Sequence, residues 1–259
     1  MLAERFRLNG KVAVVTGSGK GIGQKIGLTL AEAGANVVFS ARTAKDIQAT
    51  VESAKQFGVR ALAIACDVTD DGQLQTLASK TVETLGGIDI LVNNAGGTHG
   101  VGINRIPTTT REWCNEMFDF NVTSALMAVR FCLPHLKERH GCVVNICSAV
   151  GRIVDNNFTV YGSAKAALVH MTRLMAYDLA PDVRVNGIAP GSIMTDALRE
   201  VLDEAGLQKM SERNPMKRLG ETDDIAMAAL YLASPAASWV TGRIMDVDGG
   251  MDSSYGLFG

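Results

Sequence analysis

The stretch Lys11-Val-Ala-Val-Val-Thr-Gly-Ser-Gly-Lys-Gly-Ile-Gly23 decides the fold. Residues 11–16 form a short β-branched run, which predicts a buried strand. Glycines follow the strand, and a helix is predicted over 21–34 because apolar residues then recur at helical spacing: Ile22, Ile26, Leu30 and Ala33. A glycine-rich turn between a strand and a helix can hold a pyrophosphate on its backbone N–H groups and on the helix dipole.

The rest of the chain repeats the alternation of strand and helix. Further strands are predicted over 36–40, 60–65, 88–92, 142–147, 183–189 and 243–247. Helices are predicted over 44–57, 70–85, 110–136, 159–180, 195–212 and 221–233. Such an alternation implies right-handed crossovers and parallel strands covered on both faces. We therefore expect residues 1–259 to form a single doubly wound Rossmann domain, with a mainly parallel seven-stranded sheet and helices on both faces.

The composition excludes several classes of function. The chain is 47% hydrophobic and 20% charged, and its net charge of −2 argues against a nucleic-acid or membrane-surface partner. The five cysteines contain no C-x-x-C, so neither a metal site nor a disulfide framework is expected. The charged N-terminus lacks the apolar core of a signal peptide, and no apolar run reaches the roughly 18 residues of a membrane span. These observations predict a cytoplasmic protein.

The glycine-rich turn is the first candidate binding site. It departs from a literal G-x-G-x-x-G pattern because Ile22 stands where the last glycine would fall. A tight structural turn is the alternative interpretation. The candidate cofactor-binding residues in this turn are Gly17, Ser18, Lys20, Gly21, Ile22 and Gly23.

A tyrosine and a lysine are the first candidates for catalysis. Tyr161 and Lys165 lie four residues apart at the start of a predicted helix, so they share one face of it. Tyrosine, with an ordinary pKa of about 10, is a poor base at neutral pH, and a nearby ammonium group would lower that pKa. The alternative is an ordinary pair on an exposed helix surface.

Further polar residues are expected at the same edge of the sheet. Ser148 closes the predicted strand 142–147, where its hydroxyl could bind a substrate oxygen or simply cap the next segment. The segment Asn93-Asn94-Ala95-Gly96 ends another strand at that edge. Asn121 falls within the predicted helix 110–136, where it has a buried polar role or is solvated.

Together these motifs resemble the short-chain dehydrogenase/reductase family. The loop reads T-G-x-x-x-G-I-G, and Ser148, Tyr161, Lys165 and Asn121 match the family's active-site set in order and approximate spacing. The resemblance implies an NAD(P)-dependent oxidoreductase that interconverts a secondary alcohol and a ketone. It also implies roles: Tyr161 transfers the proton, Ser148 polarises the substrate oxygen, Lys165 lowers the pKa of Tyr161 and binds the nicotinamide ribose, and Asn121 holds a water mainly through its backbone.

The same resemblance implies further contacts with the cofactor. Asp67 and Val68 look like the adenine contact, and Asn94, Ala95 and Gly96 look like the wall beside the adenosine half. The remaining matched positions, expected against the nicotinamide and the phosphates, are Pro190, Gly191, Ile193 and Thr195. Members of the family usually form homodimers or homotetramers through the two long helices before and after the serine.

The segment after the second strand bears on the choice of cofactor. An acid in this segment commonly binds the ribose hydroxyl of NAD, but the sequence here is Phe39-Ser-Ala-Arg-Thr43. A guanidinium pairs well with the 2′-phosphate of NADP, and Lys20 would add a second positive charge. Ser40 could donate a hydrogen bond. We predict NADP(H) through Arg42, with NAD(H) as the alternative if both bases are merely solvated.

The substrate-binding segments are mostly apolar, which favours an apolar alcohol or ketone. The candidate substrate contacts are Thr98, Ser148, Ile153 and Tyr161, while His99 is expected at the rim. Residues 184–191, 218–220 and 234–240 look most like the corresponding stretches of bacterial 7α-hydroxysteroid dehydrogenases, and this resemblance implies a bulky apolar substrate. Two alternatives are a 3-oxoacyl-carrier-protein or acyl-CoA reductase, served by Arg105, Arg111 and Arg152, and a catalytically silent NADP(H)-binding regulator. The intact tyrosine–lysine pair argues against the regulator.

Overall fold

The strands predicted from the sequence form one sheet. The computed structural model describes residues 2–98 and 106–251. The strands are β1 (Val12–Thr16), β2 (Asn36–Ala41), β3 (Ala61–Ala65), β4 (Ile90–Asn93), β5 (Cys142–Ile146), β6 (Arg184–Pro190) and β7 (Ile244–Val247). Their order in the sheet is β3-β2-β1-β4-β5-β6-β7, and every neighbouring pair is parallel. The predicted doubly wound fold is confirmed, and the strand order reverses between β1 and β4, where such sheets bind ligands.

The helices cover both faces of the sheet. They are α1 (Gly21–Glu32), α2 (Ala44–Lys55), α3 (Asp71–Leu85), α4 (Arg111–Phe118), α5 (Ser124–Glu138), α6 (Thr159–Leu179), α7 (Asp196–Val201), α8 (Glu204–Arg213) and α9 (Thr222–Ala233). None of the helices in the described ranges is both long and apolar enough to cross a bilayer.

Each face of the sheet has its own core because side chains alternate along a strand. In β1, Ala13 and Val15 pack on the side covered by α1, α2 and α9. Val12 and Val14 pack on the opposite side, against α3, α5 and α6. The near-continuous apolar strands are therefore explained by burial on both faces.

The single helix predicted over 110–136 is wrong. A π-turn, Asp119–Thr123, separates α4 from α5. Within it the side-chain amide of Asn121 donates to the Met117 carbonyl oxygen at 3.0 Å, one turn earlier in the chain. A buried amide that competes for this carbonyl disturbs the regular ladder, which explains the change of helical pitch.

The helical stretch predicted over 195–212 is also two helices. Thr195 caps α7, where its Oγ1 accepts from the Leu198 N–H at 3.3 Å. Asp203 caps α8, where its Oδ1 accepts from the Gly206 N–H at 2.8 Å. Side chains that cap a helix N-terminus satisfy free N–H groups, so the second cap begins a new helix.

A buried chain of hydrogen bonds joins β4, β5 and α6. Asn93 Nδ2 donates to Asn145 Oδ1 at 2.9 Å, and Asn145 Nδ2 donates to Thr172 Oγ1 at 2.8 Å. Thr172 in turn donates to the Leu168 carbonyl at 2.7 Å. All three polar side chains are buried. This polar ladder fixes α6, which begins beside the strand ends, to the two strands.

Candidate active site

A cleft of about 530 Å³ lies at the carboxyl ends of the strands, where the order of the sheet reverses. It brings together most of the residues that the sequence singled out. Those lining it are Gly17, Lys20, Gly21, Ile22, Gly23, Asn94, Gly96, Thr98, Ser148, Ile153, Tyr161, Lys165, Pro190, Gly191, Ile193 and Thr195. Those outside its lining are Ser18, Arg42, Asp67, Val68, Ala95 and Asn121.

The glycine-rich turn forms one end of the cleft. Gly17 and Gly21 have φ of +62° and +61°, which residues with a side chain rarely adopt. A Cβ atom at Gly23 would overlap the side-chain amide of Asn94. That amide donates to the carbonyls of Thr16 (3.0 Å) and Gly17 (2.9 Å). Asn94 therefore fixes the turn to the end of β4, and the glycines leave the backbone bare.

The N-terminus of α1 is suited to an anion. Its capping residue, Lys20, makes no side-chain cap, and the first turn of the helix has no acidic residue. The positive end of the helix dipole therefore faces the cleft, and no acidic residue of α1 neutralises it. Thr195 lies opposite, since a Cβ at Gly21 would be 3.7 Å from Thr195 Cγ2. The N–H groups at the start of α1, the Thr195 hydroxyl and the bare glycine backbone together fit a pyrophosphate.

Ser18 serves the turn itself. Its side chain is fully buried, and its Oγ donates to the Val15 carbonyl at 2.9 Å and accepts from the Ser40 N–H at 2.8 Å. The hydroxyl is thus committed to fixing the turn against β1 and β2. The backbone N–H of Ser18 is committed as well, because it donates to the Ser40 carbonyl at 2.9 Å.

Ser148, Tyr161 and Lys165 meet at the other end of the cleft. Tyr161 and Lys165 lie near the start of α6, as predicted, and Ser148 follows the end of β5. The Ser148 hydroxyl hydrogen-bonds the Tyr161 phenol. Lys165 Nζ lies 5.8 Å from the centre of the Tyr161 ring and donates to the Ile146 carbonyl at 3.0 Å. The geometry excludes the alternative of an exposed surface pair, because Lys165 is buried.

The pKa values of this pair depart from the sequence-based expectation. Burial raises the pKa of Tyr161 to about 12, and the hydrogen bond from Ser148 opposes the rise. Burial also lowers the pKa of Lys165 to about 8. The predicted net lowering of the Tyr161 pKa is therefore corrected: removal of the phenolate from water outweighs its stabilisation by neighbouring groups.

Asn121 lies next to this trio, behind Gly96. Its Oδ1 accepts from the Gly97 N–H and its Nδ2 donates to the Gly97 carbonyl, both at 2.9 Å. A Cβ at Gly96 would be 2.9 Å from Asn121 Oδ1 and 3.0 Å from Lys165 Nζ. The solvated alternative for Asn121 is wrong, since only 1% of it is exposed. Gly96 permits the close approach of the asparagine, the lysine and the backbone.

The two predicted bases lie in the loops that follow β1 and β2, at the carboxyl edge of the sheet. Arg42 and Lys20 are exposed. The expected hydrogen bond from Ser40 to a 2′-phosphate is wrong because Ser40 is fully buried. Asp67 accepts from the N–H (3.0 Å) and the hydroxyl (2.8 Å) of Thr69, so its carboxylate shapes the loop after β3. Val68 is buried beside it.

The wall beyond Ser148 includes residues that no sequence motif indicates. Asp155, Phe158, Met210 and Met251 line the cleft together with the predicted Ile153 and Thr98. They come from the loop before α6, from α8 and from the segment after β7. No motif marks such positions, and only tertiary packing brings them together.

The bases expected for a carrier-protein substrate have different surroundings. Arg152 is paired with Asp248, its Nη2 lying 2.8 Å from Oδ2. Arg111 is exposed at the start of α4. Arg105 and His99 lie outside the described residues. No cluster of three side chains that could hold a metal ion occurs in residues 2–98 and 106–251.

Comparison with known proteins defines the class. A family model described as "Enoyl-(Acyl carrier protein) reductase" matches residues 17–252. The chain belongs to the short-chain dehydrogenase/reductase family. It is therefore an oxidoreductase that acts on alcohol or ketone groups of small molecules with a nicotinamide cofactor.

Individual relatives resemble the chain over nearly all of its length. The 7alpha-hydroxysteroid dehydrogenase of Escherichia coli is 42% identical over 250 residues, which is 96% of each chain. The 3-oxoacyl-(acyl-carrier-protein) reductase FabG of Staphylococcus epidermidis is 35% identical over 244 residues, 93% of this chain and 98% of that protein. A solved structure of 7 alpha-hydroxysteroid dehydrogenase, complexed with NADH and 7-oxo glycochenodeoxycholic acid, has a TM-score of 0.90 and 41% identity, covering 96% of each chain.

Proposed function

We propose that this protein interconverts a secondary alcohol and a ketone on a bulky apolar molecule, such as a hydroxysteroid, with a preference for NADP(H). One observation carries the proposal. Ser148, Tyr161 and Lys165 lie at one end of a cleft whose other end is a bare glycine turn at a helix N-terminus. A nicotinamide cofactor would lie along the cleft and supply or accept the hydride at the substrate carbon.

Each residue then has a defined task. Tyr161, whose pKa of about 12 keeps the phenol protonated at neutral pH, donates a proton to the ketone oxygen. Ser148 hydrogen-bonds the same oxygen and the phenol. The buried amine of Lys165 binds ribose hydroxyls and, when protonated, stabilises the tyrosinate that forms. Asn121 fixes the Gly97 backbone beside Lys165 and, through its own backbone, holds a water that returns a proton.

The preference for NADP(H) rests on charge. Arg42 follows β2 and Lys20 precedes α1, and both are exposed where the phosphate on an adenosine ribose would lie. Asp67, Val68, Asn94 and Ala95 form the adenosine side in this proposal. Pro190, Gly191 and Ile193 lie on the nicotinamide side in this proposal, and Thr195 lies beside the phosphates. NAD(H), with which the solved 7 alpha-hydroxysteroid dehydrogenase is complexed, is the alternative.

The walls of the cleft favour a bulky apolar substrate. Beyond Ser148 they consist mainly of Val150, Ile153, Phe158, Leu198, Met210 and Met251. Such a surface gains free energy when it buries an apolar ring system. The similarity to 7alpha-hydroxysteroid dehydrogenases supports a steroid as the substrate in this proposal.

A carrier-protein or acyl-CoA thioester is the second candidate, supported by the likeness to the staphylococcal reductase. It requires basic residues near the mouth of the cleft. Arg111 is exposed, whereas Arg152 is already neutralised by Asp248 and is a weaker candidate for such contacts. A silent NADP(H)-binding regulator is disfavoured by the intact serine, tyrosine and lysine.

The organisation of the protein is part of the proposal. We propose that residues 1–259 form one dinucleotide-binding and catalytic domain, because strands from residue 12 to residue 247 share one sheet. A homodimer or homotetramer is proposed on family grounds, and the exposed Leu126 on α5 and Leu174 and Tyr177 on α6 support it. Cytoplasmic localisation remains a prediction.

The decisive experiment compares rates of NADPH and NADH oxidation with a 7-keto bile acid and with an acetoacetyl thioester. We expect the steroid to be reduced, with NADPH preferred. Reduction of the thioester alone would support the second candidate. Clear NADPH binding without turnover of either would contradict the substrate classes while leaving cofactor binding intact.

The catalytic assignment is tested with Tyr161→Phe. The variant should bind NADPH as the wild type does and lose turnover by roughly a hundred- to ten-thousand-fold, the contribution typical of an acid–base group. Tyr177→Phe is the matched control, since it removes a phenol from an exposed position on the same helix. A Tyr161→Phe variant with wild-type turnover would overturn the assignment.

A further inference from the structure

The segment after β7 reaches the substrate end of the cleft. Met251 is buried and forms a small apolar cluster with Ala149 and Ile153, the residues that follow Ser148. All three also line the cleft. A residue near the end of the described chain thus helps to build the wall that faces the reacting oxygen.

An arginine holds that segment in place. Arg152 Nη2 donates to Asp248 Oδ2 at 2.8 Å and to the Met251 carbonyl at 2.9 Å. Its Nε lies 3.6 Å from Asp246 Oδ2. A single guanidinium therefore joins the loop after Ser148 to both ends of the segment 248–251. Nη2 makes both of these hydrogen bonds, and the separate Nε nitrogen of the same planar group faces Asp246.

Asp248 is itself firmly placed. Its side chain is 7% exposed, its carbonyl accepts from Asn214 Nδ2 at 2.9 Å, and its Oδ1 accepts from the Gly250 N–H at 3.0 Å. Gly191 packs directly against it, since a Cβ there would lie 2.7 Å from Asp248 Cα. The arginine thus anchors Met251 to a fixed point of the sheet.

We propose that Met251 determines the preference for bulky ketones and that Arg152 is the positioning residue that holds Met251 in the wall of the cleft. This inference rests on the proposed function. A bulky apolar ketone extends from the Ser148–Tyr161 pair to Met251 and buries surface against it. A small ketone is reduced at the same pair without reaching that wall.

The test uses Met251→Ala and Arg152→Gln, with kcat/KM measured for the 7-keto bile acid and for a small aliphatic ketone. Met251→Ala should lower kcat/KM for the bulky ketone by about tenfold, mainly through KM, as expected for one lost apolar contact. The value for the small ketone should change by less than about twofold. Arg152→Gln should act in the same direction, and NADPH binding should not change.

The double variant separates positioning from general structural damage. If Arg152 acts through Met251, Arg152→Gln should have little further effect on the bulky-to-small ratio once Met251 is alanine. Arg139→Gln is the matched control because it breaks another arginine–aspartate pair, with Asp89 at 3.9 Å, beside the start of β4 and so at the opposite edge of the sheet from Met251. Its bulky-to-small ratio should equal that of the wild type.

The outcomes distinguish this inference from the proposed function. A wild-type protein that reduces neither ketone would overturn the proposed function. Normal reduction of both ketones with an unchanged ratio in Met251→Ala would overturn the inference alone. Effects of Arg152→Gln and Met251→Ala that simply multiply would overturn the positioning role, and thermal unfolding of each variant shows whether the fold is intact.

Discussion

The buried amine of Lys165 has a consequence for stability as well as for chemistry. Its pKa is lowered to about 8 by burial, whereas an unfolded lysine has a pKa of about 10.4. Between these values the unfolded chain binds more protons than the folded protein, so stability rises with pH over this window. Below about pH 8 the Lys165 amine is charged in the folded protein, and the free-energy cost of burying that charge then has its full value.

Lys165→Met should therefore unfold at a higher temperature than the wild type at pH 7, although its turnover should be lost. The gap in unfolding temperature should shrink by pH 9.5, where the wild-type amine is largely neutral. Lys80→Met, at an exposed position of α3, is the control for removing a lysine side chain that is not buried. An unchanging gap across this range would contradict the lowered pKa.

Arg42 is the residue that tests the cofactor preference. Arg42→Asp replaces a cation with the acid that commonly binds the adenosine ribose of NAD, so the preference should move toward NADH. We expect kcat/KM with NADPH to fall at least about tenfold, because a charge-assisted contact is replaced by a repulsion. Arg60→Asp is the charge-matched control. Arg60 lies just before β3, at the opposite edge of the sheet from Arg42. A wild type that already prefers NADH would contradict the role of Arg42.

At the scale of elements, the glycine turn and β4 act as one unit. Gly23→Ala would place a Cβ against the Asn94 amide and 2.6 Å from the Gly17 carbonyl oxygen. Asn94 must then move, which releases the glycine turn that we propose binds the phosphates of the cofactor. NADPH affinity should fall at least about tenfold, a range typical of disturbed contacts with a ligand's charged groups.

Gly72→Ala is the control for that substitution. A Cβ at Gly72 would meet only Asp70 Oδ1, at 3.2 Å, in the exposed first turn of α3. Its NADPH affinity should equal that of the wild type, as measured by the change in nicotinamide fluorescence on binding. Equal affinities in both alanine variants would show that Gly23 is not needed for the turn.

The elements themselves were largely predictable from the sequence. Short apolar runs located all seven strands: the central strands are buried on both faces, and the edge strands β3 and β7, although only partly buried, still carry apolar residues. The break at Asp119–Thr123 was not predictable, since it depends on how the Asn121 side chain meets Met117 and Gly97 in the folded chain. Helical spacing carries no information about that competition.

The site was predictable where a motif marks it and not elsewhere. The glycine turn, Ser148, Tyr161 and Lys165 come together as expected because parallel strands end at one edge. The burial of Ser40 and the raised pKa of Tyr161 were not predictable, since both depend on how the folded chain packs. Met210 and Met251 reach the cleft only through packing of distant segments.

At the scale of the whole molecule, exposed apolar side chains favour assembly. Leu174 is 53% and Tyr177 90% exposed on α6, one turn apart on the helix. We expect the wild type to sediment as a dimer or tetramer of the 27.5 kDa chain. Leu174→Glu combined with Tyr177→Glu should shift it toward smaller species, because charges would be buried at the interface.

Phe57→Glu is the control for assembly. Phe57 is 45% exposed and lies just after α2, on the opposite face of the sheet. Sedimentation velocity at micromolar concentration should show no change for it. A monomeric wild type would contradict the proposed oligomer without bearing on the catalytic residues.

The polar ladder through Asn93, Asn145 and Thr172 has a consequence for local unfolding of the molecule. Opening α6 alone would leave the buried Asn145 Nδ2 without the acceptor that Thr172 provides, so we expect the helix and strands β4 and β5 to open together. Their backbone amides should therefore exchange with deuterated water at one slow, shared rate, whereas α7 and α8 should exchange faster. The helix that holds the proposed proton donor should then open last, after α7 and α8, which contribute Leu198 and Met210 to the wall of the cleft.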